Sequence, residues 1–157
     1  MLRENLINIY ETSFRENYAL PALTDYFKQE NFTYLEMGAE IAKLHLLFDE
    51  AGIRQGDRIA LIGRNNPPRC ITYIATITYG AVIVPILQDF HANDVIHIIN
   101  HSESRLLFLG DTFWDAIEAD QIRKVEAVFS LTDLNAIYER RDPKKLTDFQ
   151  KNRENHF

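Results

Sequence analysis

Three histidines lie close together in the sequence, and imidazole is the side chain that most often binds metal ions. His97 and His101 are four residues apart, which places them on one face of a helix, and His91 precedes them. Their face lies opposite Val95 and Ile99, so it is the water-facing side. No acid stands between them as in zinc proteases, and no second ligand cluster occurs. We interpret the histidines as a solvated helix face.

Carboxylates and a single thiol are the other reactive groups. Asp111, Asp115 and Glu118 could act as general acids or bases, and Cys70 could act as a nucleophile. We interpret Asp111 as the start of a helix and the other two acids as its solvated face. Cys70 falls in a helix predicted to be buried, so we expect an inert core residue. No Gly-x-Ser-x-Gly elbow occurs.

The glycine spacing excludes the common phosphate-binding loops. A dinucleotide-binding domain needs closely spaced glycines after its first strand, so that the pyrophosphate can approach the backbone. No two of the six glycines are within three residues of each other, and no Gly-Lys pair occurs. After Gly63, the prolines Pro67 and Pro68 remove N–H groups that could hold a phosphate. The residues alone therefore describe a scaffold, and we assign no catalytic, cofactor-binding or metal-binding residue.

Helix and strand patterns alternate along the chain. Thr33 and Glu36 form a capping-box pair before a long helix that Gly52 is placed to end, and Pro67 fits the first turn of another. Helices are predicted over residues 5–16, 33–52, 67–79, 92–101, 111–121 and 131–139, and strands over 58–62, 81–85, 105–109 and 125–129. The continuous apolar run 81–85 is typical of a strand covered on both faces. We predict an α/β fold with a mostly parallel sheet and helices on both faces.

Composition narrows the class of protein. The 157 residues are 46% hydrophobic and 25% charged, which is typical of one soluble globular domain. A net charge of −6 argues against nucleic acid or an anionic membrane as the main partner. Residues 70–87 carry no charge, but their threonines, tyrosines and Gly80 argue against a membrane span. One cysteine and the absence of an apolar leader predict a cytoplasmic protein.

The last residues differ from the rest in composition. Residues 141–157 contain no apolar run and are rich in charge, so we predict a charged linker or tail towards further sequence. The α/β domain is accordingly expected to cover residues 1–140.

Several segments resemble successive blocks of the adenylate-forming (AMP-binding) superfamily. These are Gly-Ile-Arg-Gln-Gly-Asp-Arg-Ile-Ala at 52–60, Asn-Asn-Pro at 65–67, Tyr-Gly-Ala-Val-Ile-Val-Pro at 79–85 and Ile-Ile-Asn-His-Ser-Glu at 98–103, with Phe-Thr-Tyr-Leu-Glu at 32–36 as a lead-in. The resemblance covers about residues 19–130 and is greatest to long-chain fatty-acid CoA ligases. Arg69 stands where the family usually has tryptophan, which suggests an exposed helix start or a divergent relative.

The resemblance implies that the chain is the first subdomain of the large N-terminal domain of an acyl-CoA synthetase. The family's phosphate loop, its Tyr-Gly-x-Thr-Glu motif, its adenosine-binding aspartate and its C-terminal lysine have no counterpart here and are expected beyond Phe157. The full enzyme would use ATP, Mg²⁺ and coenzyme A to activate a fatty acid. The 157-residue chain alone is expected to be inactive and to associate with the rest of the ligase. It could also self-associate through an exposed sheet edge, or through Leu6, Ile9 and Tyr10 of the first helix.

Two alternatives remain open from the sequence. One is a complete, non-enzymatic α/β interaction module that kept the scaffold without the chemistry. The other is a small flavodoxin-like nucleotide-binding domain, in which the loop 88–93 would lie at the carboxyl end of a strand.

Overall fold

A computed structural model describes residues 5–154 and contains alternating helices and strands along most of that length. The helices are α1 (Leu6–Glu16), α2 (Tyr34–Glu50), α3 (Pro67–Tyr79), α4 (Ala92–His101), α5 (Asp111–Trp114) and α6 (Lys145–Glu154), with a 3-10 turn at Ala119–Gln121. The strands are β1 (Pro21–Asp25), β2 (Glu30–Thr33), β3 (Arg58–Ile62), β4 (Val82–Ile86), β5 (Leu106–Leu109), β6 (Ala127–Ser130) and β7 (Ala136–Glu139).

Five of the strands form one sheet in the order β4-β3-β5-β6-β7. All neighbours are parallel except β6 and β7, which run antiparallel. β1 and β2 form a separate antiparallel hairpin. The prediction of an α/β fold with a mostly parallel sheet is confirmed.

Apolar side chains cover both faces of the sheet. Because successive strand residues point to opposite faces, Ile59 and Leu61 of β3 join one core while Ala60 and Ile62 join the other. The first core packs against α2, α3 and α6, and the second packs against α4. The prediction of helices on both faces is therefore confirmed.

Local sequence signals fix the ends of the main helices as expected. The Thr33 hydroxyl accepts the Glu36 N–H at 3.2 Å, while the Glu36 carboxylate accepts the Thr33 N–H at 2.8 Å, which completes the predicted capping box. Pro67 begins α3, and Gly52 follows α2 with a φ of +69°. Both agree with the preferences of proline and glycine at helix ends.

Two predicted helices are wrong. Residues 111–121 form only the four-residue α5 and a 3-10 turn, and residues 131–139 form a turn followed by β7. Leu131, Leu134 and Tyr138 recur at helix-like spacing, but Val128 pairs with Tyr138 across the antiparallel ladder. A short strand that pairs with a buried neighbour overrides such a weak local pattern.

The predicted linker contains a docked helix. Leu146 of α6 is buried, and Phe149 packs against the same core as α2. Apolar contacts at only two positions give little periodicity, which is why the sequence pattern missed this helix. A domain boundary at residue 140 stays a prediction.

β4 lies at the edge of the sheet, which corrects the prediction that residues 81–85 are covered on both faces. Val82 is 47% exposed, and Pro85 is also exposed. A proline at an edge strand is favoured because it has no N–H to leave unpaired. Among the described residues, no helix is long and apolar enough to cross a membrane.

Candidate functional site at the carboxyl edge of the sheet

The parallel strands β3, β4, β5 and β6 all end at one edge of the sheet, where open α/β sheets usually bind ligands. A cleft of about 420 Å³ lies at this carboxyl edge. We call it the carboxyl-edge cleft, and its lining includes Lys28, Gly63, Asn66, Gln88, Asp111 and Thr132. The loops after all four strands and the β1–β2 turn therefore contribute to one surface.

Gly63 makes the floor of this cleft possible. Its φ is +156°, and a Cβ built there would lie 2.8 Å from Leu131 Cδ1 and 3.4 Å from the Gly110 nitrogen. Gly110 donates its N–H to the Ile62 carbonyl at 3.0 Å. Glycine at position 63 thus lets the backbones after β3 and β5 approach each other closely.

Asp111 is held by hydroxyls from the end of β6. The Ser130 hydroxyl donates to Asp111 Oδ1, and the Thr132 hydroxyl donates to Asp111 Oδ2 at 2.9 Å. Ser130 Oγ in turn accepts the Thr132 N–H at 3.0 Å. The carboxylate therefore ties the β5 and β6 loops together, with each of its oxygens accepting one hydroxyl hydrogen bond from the protein.

Asn66 and Arg69 hold the loop after β3. Asn66 Oδ1 accepts the Arg69 N–H at 2.9 Å, and Asn66 Nδ2 donates to the Leu131 carbonyl at 3.1 Å. The Arg69 guanidinium donates to the Gly63 carbonyl at 2.6 Å and is half-buried. The arginine in the place of the family's usual tryptophan thus has a structural partner at the cleft.

Two cations border the cleft without an acidic partner among residues 5–154. Lys28 is exposed in the β1–β2 turn, and Arg64 lies with its guanidinium 5.9 Å above the Phe27 ring. Cation–π contacts of this kind contribute only modestly at exposed sites.

The residues considered from the sequence do not assemble into a reactive centre. His91, His97 and His101 are exposed, and the rings of the latter two stack 5.9 Å apart. Asp115 and Glu118 are also exposed, so only Asp111 of the three acids reaches the cleft. Over the part of the chain that the structure describes, no three His, Cys, Asp or Glu residues could hold a metal ion together.

Cys70 differs from expectation in its exposure. It is half-buried in α3 rather than fully buried, and burial raises the pKa of its thiol above the usual range. A raised pKa leaves less thiolate at neutral pH, so the thiol is a weak nucleophile.

Sequence patterns missed Thr132 as part of the cleft and Ser130 as a hydrogen-bond partner of Asp111. Neither belongs to a motif, and each becomes recognisable only by its place at or just after the end of the parallel strand β6. Gln88 belongs to the loop 88–93, which the flavodoxin-like alternative placed at the carboxyl end of a strand. The useful signal is therefore strand order, which a single sequence does not contain.

The opposite, amino edge of the sheet carries ion pairs instead. Arg105 donates to Asp57 at 2.6 Å and to Glu126 at 3.0 Å, which links the starts of three strands. Burial alone would raise the pKa of Asp57, but the Arg54 N–H and the Arg105 guanidinium bring it below its ordinary value. Such partly buried, hydrogen-bonded pairs are worth more than exposed ones.

The sequence model of the family described as "AMP-binding enzyme" matches residues 10–156. The chain belongs to this family. The resemblance inferred from the sequence blocks is therefore confirmed. The match also includes α6, which lies beyond the residues 19–130 that the resemblance covered.

Individual relatives of this AMP-binding chain are ligases of several acids. Crotonobetaine/carnitine–CoA ligase of Proteus mirabilis (strain HI4320) is 34% identical over 86 residues, which are 55% of this chain and 17% of that protein. Fatty acid–[acyl-carrier-protein] ligase ScoC of Streptomyces coeruleorubidus is 29% identical over 99 residues, 63% of this chain and 19% of that protein. Fatty acyl CoA synthetase of Mycobacterium tuberculosis superposes with a TM-score of 0.72 at 25% identity, covering 87% of this chain and 30% of that one.

The AMP-binding chain thus spans less than a fifth of the length of these two curated relatives. It corresponds to an N-terminal part of an adenylate-forming ligase.

Proposed function

We propose that the chain is the first subdomain of an acyl-CoA synthetase that activates a long-chain fatty acid. The full enzyme would join the acid to ATP, release pyrophosphate and pass the acyl group to coenzyme A, in the cytoplasm. The family match over residues 10–156 carries this proposal. The choice of a long-chain fatty acid rests on the sequence resemblance, because the relatives named above differ in the acids they use.

Within that enzyme we assign this chain a scaffolding role. The Asp111 carboxylate in its cleft accepts two hydroxyl hydrogen bonds, and α3 begins with two prolines, which have no N–H to donate to a phosphate. Adenylate formation also needs a divalent cation to offset phosphate charge. Since no three His, Cys, Asp or Glu side chains in residues 5–154 are placed to hold a metal ion together, we assign no magnesium ligand to this chain.

Pyrophosphate exchange tests this proposal directly. Labelled pyrophosphate, ATP and palmitate are supplied to the 157-residue chain and, separately, to a chain extended past Phe157 as the gene encodes it. We expect no label in ATP with the short chain and exchange with the extended one. Carnitine, ferulate and octanoate in parallel reactions identify the acid. Exchange by the short chain alone would refute the scaffolding role.

A nucleotide-binding domain is the second candidate, because Gln88 at the start of the β4–α4 loop lines the cleft. It predicts that a mononucleotide at a hundredfold excess over its Kd stabilises the 157-residue chain by about 2.7 kcal/mol. A thermal shift of that size with AMP, together with a stop codon after Phe157, would favour this alternative. A stop codon without such a shift would favour a non-enzymatic interaction module.

Contacts with the rest of the ligase or with a second copy are proposed for two exposed surfaces. No residue of α1 is buried, and Leu6 and Ile9 are each more than half exposed, whereas Tyr10 is half-buried. β4 provides the exposed sheet edge. Light scattering of the 157-residue chain and of a Leu6→Ser/Ile9→Ser variant would test self-association through α1.

A further inference from the structure

Six cationic side chains converge at the amino edge of the sheet, around a cleft of about 330 Å³. They are Arg58, Arg105, Arg123, Lys124, Arg140 and Arg141. The first four stand at or before the starts of parallel strands. The last two follow β7, which ends at this edge because it runs antiparallel to β6. The topology thus concentrates positive charge in one place on a chain whose net charge is −6.

The carboxylates in this amino-edge cleft are too few to neutralise it. Within the described part of the chain, only Glu103 and Glu126 line it together with the six cations. Each is already shared, since Glu103 pairs with Arg58 at 3.2 Å and with Lys124. Glu126 pairs with Arg105 at 3.0 Å and with a second arginine at 3.7 Å. Asp57 also pairs with Arg105 at 2.6 Å, so three carboxylates face six cations and net positive charge remains in the cleft.

Two arginines in the cleft have no carboxylate partner among the residues described. Arg140 is fixed by backbone carbonyls: its Nε donates to Val125 at 2.9 Å and its Nη2 to Ala119 at 2.6 Å. This geometry leaves the N–H groups of Nη1 without a protein acceptor within residues 5–154. Arg123 is exposed, and its Nε donates to the Asp120 carbonyl at 3.2 Å. A guanidinium already held in place loses little freedom when it binds an anion.

We propose that the amino-edge cleft binds a soluble oligophosphate, with two or more linked phosphate groups, between the arginines of its walls. Arginine matches phosphate geometry through paired N–H donors, and several converging guanidiniums suit neighbouring phosphates better than one. The cleft's size fits a small anion, and the acidic charge of the whole chain disfavours extended contact with nucleic acid. This site goes beyond the scaffolding role and does not depend on it.

Calorimetric titration of the 157-residue chain with inorganic pyrophosphate at low ionic strength tests the proposal. The test variant Arg123→Gln/Lys124→Gln alters exposed side chains, and circular dichroism verifies that it folds. The matched control Lys28→Gln/Arg64→Gln removes the same charge at the carboxyl edge. We expect the test variant to bind about tenfold more weakly and the control to bind like the unmodified chain.

Further titrations test whether the amino-edge cleft prefers linked phosphate groups and whether binding occurs there. Inorganic phosphate is expected to bind more weakly than pyrophosphate, and added salt should weaken both. Amide NMR shifts on titration should cluster at residues 123–126 and 140–141. Absence of pyrophosphate binding, equal losses in both variants, or binding only to phosphatidylglycerol vesicles or RNA would each overturn the proposal.

Discussion

At the scale of the residue, Gly63 is the position where one added carbon has the clearest consequence. Gly63→Ala would place a methyl group 2.8 Å from Leu131 Cδ1 and 3.4 Å from the Gly110 nitrogen. We expect a loss of about 1–3 kcal/mol in the free energy of unfolding, measured by equilibrium urea denaturation.

Gly110→Ala is the matched control for this substitution. Gly110 has a φ of −65°, and its added carbon would be no nearer than 3.6 Å to another side chain. We expect Gly110→Ala to lower the free energy of unfolding clearly less than Gly63→Ala does. Equal losses would contradict the role given to the close approach at Gly63.

A tyrosine between α2 and α3 provides a second residue-scale prediction. The Tyr79 hydroxyl oxygen lies 2.5 Å from Asp49 Oδ1 and 3.0 Å from the Ile53 carbonyl oxygen, so its single proton faces two acceptors. Burial, followed by the hydrogen bond to Asp49, raises the pKa of Tyr79 to about 12. Since the folded-state pKa exceeds the unfolded one, this stabilisation is full below pH 10 and is lost as the pH rises through 12.

We expect Tyr79→Phe to cost about 1 kcal/mol near neutral pH and to remove the highest-pH step in the ultraviolet titration of the tyrosines. Tyr73→Phe, on the exposed side of α3, should leave that step in place. A titration unchanged by Tyr79→Phe would refute the assignment.

At the scale of the element, α6 depends on a carboxylate from outside the helix. Glu139 accepts the Leu146 N–H at 2.6 Å, the Thr147 N–H at 3.2 Å and the Thr147 hydroxyl at 2.7 Å. It thereby does for α6 what a capping side chain does for other helices. Gln150 Nε2 adds a hydrogen bond to the Leu134 carbonyl at 2.8 Å.

Glu139→Gln should therefore loosen α6 selectively. We expect faster hydrogen–deuterium exchange at residues 147–152, little change in α4, and a loss of about 1 kcal/mol in stability. Glu11→Gln, which alters an exposed ion pair on α1, is the control and should leave α6 unchanged. Uniformly faster exchange across the sheet would contradict this local role.

At the scale of the whole molecule, the ion pairs at the amino edge join strands that are distant in sequence. Asp57 accepts from the Arg54 N–H at 2.8 Å and from Arg105 at 2.6 Å. Its folded-state pKa is below its ordinary value of 3.8. Ionised Asp57 therefore stabilises the fold fully above that value, and the contribution is lost as the pH falls through the folded-state pKa.

We expect Asp57→Asn to lower the free energy of unfolding by about 2 kcal/mol at pH 7. The variant should also lose less stability than the unmodified chain on acidification below pH 4. Urea denaturation at several pH values measures both effects. The exposed Asp115→Asn is the control, with an expected change below about 0.5 kcal/mol. An identical acid dependence in Asp57→Asn and the unmodified chain would be inconsistent with this account.

Sequence reasoning located the elements whose signals are local. The capping box at Thr33, the proline at the start of α3 and the four apolar strands depend on a few neighbouring residues, so their positions followed from the chain alone. The family blocks also came from local motifs. For the same reason, the absence of closely spaced glycines could be established without any coordinates.

The tertiary structure decided what depends on strand order. β7 forms because Tyr138 pairs with Val128 across the antiparallel ladder. α6 is stabilised by the Glu139 carboxylate, which accepts the Leu146 N–H, and by packing against the core. β4 is exposed because it lies at the edge of the sheet. Both clefts likewise gather residues separated by many positions in sequence. Contacts of this kind gain their free energy from burial and pairing with distant segments, which no local pattern in the chain contains.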